Sequence, residues 1–195
     1  MNINEVAELV WRQLQPTSGS DTAISLEEFK SSAKAEFAYQ TLLMVWREKR
    51  EEGFYTVPGY LLKDAEKDIV NNEMDISDLQ YFKSLPNEVW LQDIGGLNCD
   101  CKYVKSTVNH SKLLCDDDSM DDGTRTFFVM GSKIKFPQGT HKNKLKIIYA
   151  DKGGDLDGNI DVDDAIAALV RERLIGLYGG KIGVNDETNN ENKTN

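Results

Sequence analysis

The sequence predicts an α+β fold, with helices at both ends of the chain enclosing a β-rich middle. Three observations carry this. Apolar residues recur at helical spacing near the start, short alternating apolar runs punctuated by Gly, Pro and Asn fill the centre, and an amphipathic run returns at 162–178. The expected organisation is one α+β domain over 1–180, with helices within 4–52 and at 162–178, a β-rich insert at 54–150, and a flexible polar tail at 181–195.

Each element has its own justification. The first helix, 4–15, carries Val6, Leu9, Val10 and Leu14 at helical spacing and stops before Pro16. A polar link, PTSGSDTA, follows. Ser25 and Glu28 then form a capping-box pattern, in which hydroxyl and carboxylate each satisfy a backbone N–H of the first turn. That helix is expected to run to 52, with Leu26, Phe29, Ala33, Phe37 and Met44 on one stripe and Gly53 as its stop. Trp11, Phe29, Phe37 and Trp46 fit core or interface positions.

The strand-length runs are FYTVPGYLL, EVWLQDI, KYVKSTV, TFFVMG, SKIKF and KLKIIYA, with an irregular or short helical excursion expected at 63–86. SKIKF and KLKII flank the turn PQGTHKN and read as a hairpin. Alternation turns Ile134, Phe136, Leu145 and Ile147 inward and Lys133, Lys135, Lys144 and Lys146 outward, which makes one face a lysine patch.

Composition narrows the function classes. A chain of 195 residues with 39% hydrophobic content suits a soluble globular protein, and no run approaches the roughly 18 apolar residues of a membrane helix. The opening MNINEVAELVWRQLQ has acids where a signal peptide has positive charge, so an intracellular product is expected. The net charge of −10 is concentrated: residues 116–122 hold five acids and no base, residues 151–164 hold six acids and one lysine, and the remainder is neutral. Such a balance argues against a protein that grips nucleic acid through a basic face.

Two clusters have metal-ligand chemistry. Calcium takes six to eight oxygens around a sharp turn, and an EF-hand frame with Gly158 at loop position 6 places Asp155, Asp157, Asp161 and Asp164 at positions 3, 5, 9 and 12. Position 1 falls on Gly153, and a strand rather than a helix precedes the loop. The same letters also fit a tight turn at Asp157-Gly158 followed by aspartate caps (Asp161, Asp163 or Asp164) on the last helix. Cys99, Cys101, His110 and Cys115 supply four zinc-type donors at a spacing that matches no known finger, and three cysteines equally suit reduced thiols. His110 and His141 stand in polar stretches with no nucleophile, phosphate-loop or dinucleotide motif, so no catalytic residue and no cofactor is assigned and no enzyme is expected.

Two stretches carry a family resemblance, LPNEVWLQDIGGLNC and, more strongly, LKIIYADKGGDLDGNIDVDDAIAALVRERLIGLYGG. Together with the order of elements, they resemble the head-to-tail connector (adaptor, gatekeeper or ring) proteins of tailed bacteriophages, most of all those of the crAss-like short-tailed phages that infect Bacteroides. The resemblance covers most of the chain in layout and about fifty residues in letters. It implies a virion structural protein, assembled in the host bacterial cytoplasm, in which the strand, acidic turn and last helix serve as structural closure. It also implies a homo-oligomeric ring of commonly about twelve copies, seated against the portal protein and neighbouring tail or ring proteins, away from any membrane, and enclosing DNA without sequence-specific binding. Within such a ring, the lysine face and the aspartate loops are expected to meet across subunits, and the polar tail to dock on a partner ring. The alternative function is a calcium-binding, dockerin- or EF-hand-like interaction module.

Overall fold

A computed structural model describes residues 1–14, 24–52, 56–95, 102–106, 124–140 and 143–182. They belong to two units, 1–44 together with 153–195, and 45–152, so the β-rich stretch expected at 54–150 lies within the second. Helices lead, a seven-stranded sheet follows and a helix closes the chain, which is the predicted α+β class.

In the first unit, helix α1 (Ile3–Leu14) begins at a capping box built on asparagine. The Glu5 N–H donates to Asn2 Oδ1 at 2.9 Å, and the Asn2 N–H donates to the Glu5 carboxylate at 2.8 Å. Ile3, Val6, Ala7, Val10 and Trp11 are buried, whereas Leu9, expected on the apolar stripe, is 40% exposed. A helix turns about 100° per residue, and that step carries Leu9 off the face that Val6 and Val10 share.

Helix α2 (Leu26–Glu52) starts at the predicted box. The Glu28 N–H donates to Ser25 Oγ at 3.2 Å and the Ser25 N–H to the Glu28 carboxylate at 2.9 Å. Phe29, Ala33, Phe37, Ala38 and Leu42 are buried, while Leu26 and Met44 are only half-buried. Gly53 and the link before Ile24 lie outside the described residues.

The closing helix passes its expected end at 178 and reaches Ile182; residues 183–195 lie outside the described residues. It is labelled α4 (Asp164–Ile182), after the short α3 below. Aromatic contacts bind the three helices. The Phe29 ring stands 5.3 Å from Trp11 and 5.1 Å from Tyr178, and the Tyr178 hydroxyl donates to Ser32 Oγ at 2.7 Å. Large rings in tilted contact supply much of a small core's burial, and the hydroxyl keeps the third ring's polar end satisfied.

The second unit is built on strands β1 (Leu62–Val70), β2 (Glu73–Asp75), β3 (Leu91–Ile94), β4 (Lys102–Lys105), β5 (Thr124–Met130), β6 (Lys133–Lys135) and β7 (Lys144–Ala150), with the one-turn helix α3 (Asn87–Trp90) before β3. Their order is β3-β7-β1-β2-β6-β5-β4, and every pair is antiparallel except β4 with β5.

This order corrects three expectations. First, β6 and β7 are not a hairpin, because β6 is bonded on its two edges by β2 and β5, and β7 by β1 and β3. Second, the expected excursion at 63–86 contains most of β1 and all of β2, joined by Asn71 and Asn72 with φ of 53° and 60°. Two central residues at positive φ define the type I′ turn whose twist suits a two-residue hairpin, and Asn tolerates that region better than other residues with a side chain. Third, EVW closes α3 instead of opening a strand, and the described part of FYTVPGYLL has no regular structure at 56–58 and a 3-10 turn (Gly59–Leu61) before β1 begins at Leu62.

The inward face of the sheet is as predicted from alternation: Ile134, Phe136, Leu145 and Ile147 are buried, with Met74 beside them. Trp90 stacks on Tyr81 at 4.0 Å between ring centroids.

Candidate functional site

Two places hold the charged residues singled out from the sequence, one in each unit. The first is the acidic turn between β7 and α4. Asp157 Oδ1 accepts the Asn159 N–H at 2.9 Å, and Asp163 Oδ1 accepts the Ala165 N–H at 2.8 Å, which makes Asp163 the N-cap of α4. Asp155, Asp161 and Asp164 are exposed. Among the described residues, no three His, Cys, Asp or Glu side chains gather closely enough to hold an ion.

The glycines explain why the loop departs from the calcium pattern. Gly153, where an EF-hand has its leading aspartate, has φ +81°, and a Cβ there would lie 2.9 Å from the Lys34 carbonyl oxygen on α2. Neither the backbone conformation nor the space admits a ligand side chain. Gly158 serves close approach: a Cβ would stand 2.2 Å from Asn4 Oδ1. The Asn4 N–H donates to the Gly158 carbonyl at 2.9 Å, the Val162 N–H donates to the Met1 carbonyl at 2.9 Å, and Asn2 bridges Asp161. The turn is a latch that fastens the start of α1 to the start of α4.

The second place is the outward face of the sheet. The register sets Asp68 opposite Lys144, Glu66 opposite Lys146, Glu73 opposite Lys135 and Asp75 opposite Lys133. The four lysines do face outward, yet each already has an acid. Lys133 and Lys135 clasp Glu73 at 2.6 and 2.7 Å, Lys146 meets Asp64 at 2.9 Å, and Lys144 meets Asp68 at 3.5 Å. The Lys133 hydrogen bond, then that of Lys135, holds the Glu73 carboxyl down at about 2, and the same contact raises Lys133. What reads as a lysine patch in two separate segments is therefore a self-neutralised face, because β1 and β2 supply the acids.

Further charge pairs lie on the other side of β1, where sequence reading placed no functional group. Lys67 bonds Asp78, whose carboxyl is lowered by that contact, and Lys63 lies 3.4 Å from Asp151, whose side chain is almost wholly buried. An open depression of about 550 Å3 beside the β1–β2 turn is bordered by Lys67, Glu73, Asp75, Asp78 and Lys133. These groups bond one another or, for Asp75, the Ser77 N–H at 2.8 Å. Salt bridging of this kind does not create a reactive group.

Cys99, Cys101, His110, Cys115, His141 and the acidic run 116–122 lie outside the described residues. Among the described residues, no helix is long and apolar enough to cross a membrane. No protein-family model matches the chain, and no curated protein sequence matches it.

Proposed function

We propose that this chain is a structural component of a tailed-phage virion, a head-to-tail connector whose copies close into a ring beside the portal and around the DNA channel. The observation that carries the proposal is the latch. The strand, the D-x-D-G-N turn and the last helix, where the resemblance to connectors is strongest, perform structural closure by pinning the start of α1 through the Asn4–Gly158 and Val162–Met1 hydrogen bonds. Two of the carboxylates there, Asp157 and Asp163, are used for turn and cap geometry. The layout supports the same reading: helices from both ends of the chain belong to one unit and the sheet to an inserted one.

A closed ring needs two different surfaces on each copy that fit one another. The neutralised sheet face offers little free charge for that purpose, so apolar and shape-complementary contacts carry the assembly in this account. A net charge of −10 suits a channel through which duplex must pass without sticking, since acids repel phosphates.

Electron microscopy of virions that carry a density label on this chain tests the proposal. A ring of label between head and tail is expected. Label elsewhere in the particle, or particles that lack the chain, would contradict it.

A further inference from the structure

The outward face of the sheet changes character at its β4 edge. Beyond the charged rows of β1, β2 and β6 it turns apolar, because the register sets Met130 opposite Lys133 and Phe128 opposite Lys135 and continues through Thr126 to Val104 on β4. Val104 and Met130 are among the exposed large hydrophobic residues of the chain, at 39% and 53%, and Phe128 is half-buried. Thr126, between Val104 and Phe128, gives its N–H to Gln138 Oε1 at 3.0 Å. A sheet face turned to water is ordinarily polar, so this strip is built to be covered.

The pairing of β4 with β5 says by what. The two strands run parallel, from Lys102 with Thr124 to Lys105 with Phe127. No tight turn can join a parallel pair: the chain that leaves one strand must return to the opposite end of the sheet, which takes a dozen or more residues. Residues 107–123 supply that length. Connections of this kind cross one face of the sheet, and in nearly every case the crossing is right-handed. The backbone decides which face that is. The Ser106 N–H donates to the Phe127 carbonyl at 2.7 Å, so Ser106 and Val104, two residues before it, both turn their amides toward β5. In a strand of L-residues viewed with its C-terminal end up, a residue whose side chain points at the observer has its N–H and C=O on the right. Seen from the side of Val104, with β4 running up, β5 therefore lies to the right. A right-handed connection then passes in front, over Val104, Phe128 and Met130.

We propose that this apolar strip is the seat of residues 107–123, which cross it right-handed on the way from β4 to β5. The stretch has the chemistry for it: Leu113, Leu114 and Cys115 are its one run of adjacent apolar residues and stand near its middle, and its five acids follow at 116–122. The strip is thereby satisfied from within the chain and is not a contact left for a second copy. The inference does not rest on the ring, since strand direction and handedness carry it.

Photo-crosslinking of the full chain, read by peptide mass spectrometry, tests the proposal. The photoreactive residue p-benzoylphenylalanine replaces Phe128 or Met130 on the strip and, as the control, Val129, the half-buried residue between them that alternation turns to the opposite face. The probes at 128 and 130 are expected to capture residues 107–123, and the probe at 129 to lose that product. In an equal mixture of isotope-labelled and unlabelled chains, each product is expected to carry one label state throughout. Met130 is the more exposed of the two strip positions, so its probe leaves the melting temperature unchanged and decides the matter alone if the substitution at Phe128 unfolds the chain. Capture of 107–123 by the probe at 129 in place of those on the strip would put the connection over the other face and overturn the proposal. Mixed-label products, which would put a second copy on the strip, overturn it as well. So does the absence of 107–123 from everything the strip probes capture.

Discussion

The sheet's outward face and the outward face of α4 differ in a way that inverts their appearance in the sequence. The sheet face holds four lysines and five acids, Asp64, Glu66, Asp68, Glu73 and Asp75, and the register sets each lysine within reach of an acid. The α4 face between Ala165 and Leu177 has two charges and two exposed leucines. The first is rich in charge and has little left to offer a partner. The second is poor in charge and keeps Leu169 and Leu177 exposed. What decides whether a surface recruits a partner is the part its own chain has not already satisfied.

The contrast can be broken by substitution, and the largest effect is expected beneath the sheet face. Ile134 lies between Lys133 and Lys135 in the chain but is wholly buried. Ile134→Ala is expected to lower unfolding stability by about 2–5 kcal/mol in urea titration. The turn between β1 and β2 comes next. Asn72→Gly supplies the preferred second residue of a type I′ turn and is expected to raise stability by about 0.5–1 kcal/mol, whereas Asn72→Ala, held at φ 60°, is expected to lower it by about 1 kcal/mol.

Acid sharpens the contrast further. The Glu73 carboxyl is depressed from an ordinary 4.5 to about 2 by Lys133 and Lys135, so its contribution is complete above about 4.5 and is lost as pH falls toward 2. The difference in urea midpoint between wild type and Glu73→Gln should be constant at neutral pH and should shrink toward zero over that window. Smallest of all is the response of the four lysines. Replacing Lys133, Lys135, Lys144 and Lys146 by glutamine together is expected to move the urea midpoint less than any change above, as solvated ion pairs do, and to leave a low-salt gel of duplex DNA unshifted, as in the wild type.

Strands β1 and β7 show why parts of this fold were legible in the sequence and parts were not. They are paired from Leu62 with Ala150 to Asp68 with Lys144. KLKIIYA announces itself, because its alternating apolar residues are its own contribution to the core. LKDAEKDIV does not: its Lys, Ala and Glu residues are scarce in strands, and it becomes a strand because β7 lies along it and supplies lysines for its outward acids. Helix ends were legible for the opposite reason, since the Ser25–Glu28 box and the Asp163 cap act within three residues of sequence. The lysine patch was half legible. Outward orientation follows from alternation within one strand, whereas neutralisation depends on β1 and β2, which come from elsewhere in the chain. The acidic turn had a signal in Gly153, where a ligand was missing from the calcium frame. The close pass of Lys34, which forbids one there, is a tertiary fact.

Native mass spectrometry of the full chain at a concentration where the wild type associates, with the four-lysine variant beside Leu169→Glu/Leu177→Glu, tests most directly the claim that association uses the apolar face of α4 and not the neutralised sheet face. The glutamine variant should keep the wild-type distribution of oligomers, and the glutamate variant should appear as monomer with its fold intact. Loss of association in the glutamine variant, with the glutamate variant still associating, would contradict the account.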